Sequence, residues 1–111
     1  MDRHARQARL VGAEGQRRIG RAVADVPLDG FAAVVAAGYL AGAGAGALRV
    51  RDASAAAAAR GIAPHVPVEV EIGIDLESPA VPPEIRDPAA REAAAGALFA
   101  LAVLRKALEE P

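Results

Sequence analysis

The chain has 111 residues, enough for one domain with a single modest core, and its formal net charge of −1 argues against bulk electrostatic binding to nucleic acid or to a membrane. It contains no cysteine, which removes thiolate nucleophiles, thioester chemistry, disulfides and cysteine-ligated zinc together. Only Phe31, Phe99 and Tyr39 are aromatic, so Ala, Val, Leu and Ile must build the core at short helix–sheet distances, and a core of that kind gains stability from a partner.

Residues 1–10 form a charged N-terminal arm. Arg3, Arg6, Arg9, Arg17, Arg18 and Arg21 crowd the first 21 residues, and from Glu69 onward carboxylates outnumber the cations. Either these are two solvated faces, or the basic arm meets the acidic part of a neighbouring subunit. The arm has no apolar run of the kind a signal peptide carries. The longest apolar run, Ala93 to Leu104, has 12 residues, well short of the ~20 that a spanning helix needs, so a cytoplasmic location is expected.

After the arm, Glu14 to Ala22 reads as a short helix with Ile19 as its apolar contact. Val23 to Leu28 reads as a strand in which Asp25 and Pro27 sit awkwardly, and Asp29-Gly30 as a turn. Phe31 to Gly42 is a run of small apolar residues suited to a helix packed closely on a sheet, and the glycines from Gly42 to Gly46 end it. Ala47 to Val50 is a second strand. Ser54 is placed to cap a helix over Ala55 to Arg60, which Pro64 stops.

Val66, Val68, Val70, Ile72 and Ile74 then alternate with carboxylates, as a half-buried third strand would. A Pro-rich connection over 76–87 leads to Asp87-Pro88, an N-cap followed by a first-turn proline, and to a helix over 88–109. That helix is apolar nearly all round between Ala93 and Leu104, and is therefore expected to be deeply buried or covered by another chain. Strands alternating with helices give a single α/β domain. Its core over 11–75 is read as a minimal Rossmann-like three-layer fold, with a three-stranded parallel sheet in order 3-2-1 and a long C-terminal helix. The first strand is then an edge, where Pro27 and Asp25 are tolerable.

Local candidates for chemistry are few. Gly42 to Gly46 precedes a strand instead of following one, which suits a helix-ending turn better than a phosphate loop. Ser54 has no base beside it. His4 and His65 stand far apart without a ligand cluster, so no metal site is expected.

Three segments nevertheless fall in a telling order. Arg3-His4-Ala5-Arg6-Gln7, Gly12-Ala13-Glu14-Gly15-Gln16 and the stretch from Tyr39-Leu40 through Gly42-Ala43-Gly44 to Asp52 resemble the R-x-x-R-Q arm, the G-x-x-G-Q helix start and the second helix–strand unit of ThiF/MoeB-type adenylyltransferases, bacterial relatives of ubiquitin-activating enzymes. The resemblance covers residues 3 to 52 and weakens beyond them.

In that family a G-x-G-G-x-G loop receives ATP, because backbone N–H groups at a helix N-terminus must approach phosphate oxygens closely. At the matching positions, Leu28 to Ala33, only Gly30 survives, and Asp29 and Phe31 add a carboxylate and bulk. Asp52 matches the family's ribose-binding acid, but the charged stretch that should follow it is missing, as are a fourth strand and a catalytic cysteine. Asp52 reads either as a relic or as a cap for the next helix.

The resemblance implies a non-catalytic, adenylyltransferase-like pseudoenzyme without a cofactor of its own. It would act as a dimerisation or partner subunit, either as a homodimer or as a heterodimer with a full-length ThiF/MoeB-like protein. Arg3, Arg6 and Gln7 would contact the partner, and Arg6 would reach toward the partner's nucleotide. The alternative is a small-ligand or nucleotide-binding module using a residual crevice near Gly30 and Asp52. Nucleic-acid binding through the arm is disfavoured, because the arm has no aromatic residue for base stacking.

Overall fold

A computed structural model of the chain describes the backbone of residues 3–109 and the side chains of residues 12–109. Seven elements alternate along it: α1 (Arg3–Arg21), β1 (Val23–Val26), α2 (Gly30–Ala43), β2 (Ala47–Val50), α3 (Ala53–Ile62), β3 (Val68–Val70) and α4 (Pro88–Glu109). The three strands form a parallel open sheet in order β1-β2-β3, with Val23 opposite Ala47 and Leu48 opposite Val68. The fold is α/β, as expected.

The expected three layers are not formed among the described residues. Ala24, Val26, Leu48, Val50 and Val68 turn one face of the sheet into the core, while Val23, Asp25 and Glu69 lie exposed on the other. α2 and α3 pack against that buried face, α4 lies along α2, and α1 touches α2 and α4. A parallel sheet usually hides both faces. Here the open face is polar enough to stand in water. Arg49 bridges Asp25 on one side, with Nη2 donating to Oδ2 at 2.9 Å, and Glu71 on the other at 3.5 Å. Three strands with cross-strand ion pairs thus need only one helical layer.

α2 is the hub of the helical layer, and close approach is its device. Its inner residues Ala32, Ala33, Ala36, Ala37, Leu40 and Ala41 are buried, which lets the helix sit near the strands. α4 approaches equally closely through Gly96, where a Cβ would collide with the Ala32 carbonyl oxygen and come within 2.8 Å of Val35 Cβ. The bulkiest fully buried side chains are Ile19, Leu40, Leu48, Val26 and Val50.

Several boundaries differ from the sequence expectation for physical reasons. The N-terminal arm has helical backbone, since α1 begins at Arg3 and is broken only at Gly12, which has φ 81 and ψ 161. β1 stops at Val26, so Pro27 lies just beyond the ladder and uses its carbonyl to accept from Glu77 N–H at 2.8 Å. β3 is far shorter than its alternation suggests. β2 ends at Val50, so β3 has no ladder partner beyond Val70; Val70 and Ile72 are exposed, and only Val66 and Val68 are buried.

The cap of α3 is Asp52, whose Oδ1 accepts from Ala55 N–H at 2.9 Å, and not Ser54, which is exposed in the first turn. Asp87 caps α4 as expected, accepting from Ala90 N–H at 2.9 Å. The glycines after α2 end it as expected. Gly44 adopts φ 92, and Gly46 allows the chain to press on the end of α1, where its N–H donates to Ala22 O at 2.9 Å. α4 is not deeply buried: among its apolar residues Leu98 and Leu101 are exposed, and Ala95, Gly96 and Ala100 carry the packing.

Candidate functional site

In an open parallel sheet, ligands bind beyond the C-terminal ends of the strands. In this chain that edge carries Asp29 and Gly30 after β1, and Arg51 and Asp52 after β2. The structure therefore brings together the two residues singled out for a residual nucleotide site, Gly30 and Asp52, at the starts of neighbouring helices.

The carboxylates of the edge are engaged or placed from within the chain. Gly30, with φ 60, opens α2, and a Cβ there would lie 3.5 Å from Glu92 Oε1 of α4. A carboxylate of the chain itself thus lies beside the first residue of α2, near the helix end where backbone dipoles favour negative charge. Asp29, the N-cap residue of α2, makes no capping bond with its side chain and instead pairs with Arg51 at 3.3 Å. The Asp52 carboxylate is engaged in capping α3, so the cap reading of this residue holds.

The chain then crosses its own edge. After β3, Glu71 N–H donates to Val50 O at 2.7 Å, at the end of β2, and Glu77 N–H donates to Pro27 O at 2.8 Å, beyond the end of β1. Residues 71–77, which lead into the Pro-rich connection, therefore run from β3 past β2 to β1 along the rim where a ligand would enter. The connection is tied down further on, where Val81 packs on the core and Arg91 Nη1 donates to Pro82 O at 3.2 Å and to Ile85 O at 2.7 Å.

One group at this edge is incompletely satisfied. Arg51 is mostly buried, and its Nε and Nη1 lack hydrogen-bond geometry to any acceptor, the Asp29 contact being electrostatic only. Sequence reading passed over Arg51 because a single arginine ending a strand carries no motif. It also passed over Glu92, which reaches α2 only through the tertiary fold.

Arg3, Arg6 and Gln7, the expected partner contacts, lie outside the residues whose side chains are described. Among the described residues no group of three or more His, Cys, Asp or Glu is placed to hold a metal, and no helix is long and apolar enough to cross a membrane.

A concavity lies along α2. It is an open apolar groove of about 560 Å³, floored by the outer stripe of α2 and walled by Ile62 of α3 and Leu104 of α4. Its signal in the sequence is that α2 carries no charged residue although several of its residues remain exposed.

No family model, curated protein or solved structure matches this chain.

Proposed function

We propose that this chain is a non-catalytic, Rossmann-like relative of the ThiF/MoeB-type adenylyltransferases that works by associating with itself or with a full-length member of that family. The supporting observation is the self-filled strand edge. Glu92 lies beside Gly30 at the start of α2, Asp29 pairs with Arg51, Asp52 caps α3, and residues 71–77 run along the rim. A triphosphate placed there would meet Glu92 and Asp29, two carboxylates, and Arg51 is already paired with Asp29. Like-charge contact at close range opposes binding of a polyanion.

A small-anion module is the second reading, and Arg51 favours it, since buried guanidinium donors without acceptors are costly unless a ligand completes them. One thermal-shift panel separates the two. Association predicts no stabilisation by magnesium ATP, AMP, phosphate or small carboxylates. Saturable stabilisation that Arg51→Met abolishes would instead establish the anion site and sink the first reading.

A further inference from the structure

We infer that the outer face of α2 is the contact between two copies of this chain, which deepens the association reading above and rests on it. α2 runs from Gly30 to Ala43 without a charged residue, and its outer stripe, Phe31, Val34, Gly38, Tyr39 and Gly42, stays partly or largely exposed, with Val35 shared between the stripe and the α4 contact. Phe31 is 48% exposed and Tyr39 59%, with Ile62 of the groove wall at 43% and Leu101, three residues before the groove's Leu104 on α4, at 52%. A soluble helix normally places polar residues on such a face.

Area argues for a second copy as the occupant. Half-exposed aromatic side chains of about 200 Å² each leave roughly 200 Å² from Phe31 and Tyr39 together. Ile62, Leu101 and the groove floor raise the apolar surface to about 400 Å² per copy by the same bookkeeping. Two copies would remove about 800 Å² of apolar surface, the apolar share of a standard interface of about 1,200–1,600 Å².

Shape argues the same way. A two-fold contact needs one patch that carries both a projection and its receptor. Tyr39 projects from the stripe directly beside the depression over Gly38 and Gly42, so the side chain of one copy has a receptor of matching character on the other. The groove lining has no charge, so identical faces meet without repulsion.

Sedimentation velocity across a concentration series tests this with the wild-type chain, Tyr39→Glu, Ile62→Lys and, on the open sheet face, Val23→Glu. Dimers are expected for wild type and Val23→Glu. Tyr39→Glu and Ile62→Lys should each weaken association by about 100-fold or more, as charges buried at an interface centre do, while keeping wild-type helicity by circular dichroism. A dimer that survives both groove variants but is lost in Val23→Glu places the contact on the sheet; this overturns the inference and leaves association standing. A wild-type monomer that co-elutes with a full-length adenylyltransferase does the same. A wild-type monomer that binds no such partner overturns both.

Discussion

Gly96→Ala asks the most of the packing between α2 and α4. In an isolated helix the change is favourable by about 1 kcal/mol, because alanine has the higher helix propensity. In this fold the added methyl group would overlap the Ala32 carbonyl oxygen, stand 2.8 Å from Val35 Cβ and lie 3.0 Å from Ala36 N. Two of these atoms are α2 backbone and cannot swing aside, so α4 must move away from α2 along their shared length. Overpacking of this kind costs about 1–3 kcal/mol and occasionally more, and here the yielding partner is a whole helix, so the upper end applies. Set against the propensity gain, the net loss is about 1–2 kcal/mol, which for a domain of this size lowers the melting temperature by roughly 4–15 °C.

Urea and thermal unfolding measure this directly, with Gly61→Ala as the matched control. Gly61 lies in α3 with no positive φ, and a Cβ added there would meet nothing within 4 Å, so its substitution should stabilise by about 0.5–1 kcal/mol. If both substitutions stabilise equally, α2 and α4 do not approach so closely, and the placement of Glu92 at the start of α2 falls with that approach.

Asp52→Ala removes the cap of α3 and should destabilise by about 0.5–2 kcal/mol in urea unfolding; no loss would mean that the carboxylate is not committed to the helix. Hydrogen bonding and charge from Arg17, supported by Arg18 and Arg21, hold the exposed Glu14 carboxyl below its usual range. A carboxyl depressed on folding adds stability above its unfolded pKa and loses it as pH falls through the folded value. Acid unfolding of Glu14→Gln should therefore lack a small component present in wild type, and salt should shrink that component. An identical acid profile for the two would show the pairing to be absent in solution.

Where local chemistry alone decides, the sequence was readable. Asp87-Pro88 starts α4, the glycines after Gly42 end α2, and Ala47–Val50 is a strand set between that glycine run and Asp52, the cap of α3. Tertiary partners decided the rest. The alternation from Val66 to Ile74 promises a strand twice as long as its neighbour can pair, and β2 ends where Asp52 starts α3. Strand pattern reports side-chain polarity and says nothing of how far a partner extends.

The third layer was expected from reading the alternation of strands and helices as a minimal Rossmann-like fold. The cross-strand pairing of Asp25 and Arg49, residues far apart in the chain, is what lets this sheet leave one face open. At the strand edge, Gly30 and Asp52 were legible as a pair, while Glu92 and the path of residues 71–77 emerge only when the chain is folded. The α2 groove had a readable sign, a helix without charge, which was assigned entirely to the sheet because periodicity cannot show which side of an all-apolar helix is free.

Amide chemical shifts followed during a titration with magnesium ATP probe the self-filled edge most directly, since a bound phosphate would lie against the first turns of α2 and α3. Residues 29–33 and 52–55 should remain unmoved at millimolar nucleotide, because the chain's own carboxylates and the 71–77 segment hold that space. Saturable shifts confined to those amides, lost in Asp52→Ala while the fold is retained, would contradict a non-catalytic, association-based role.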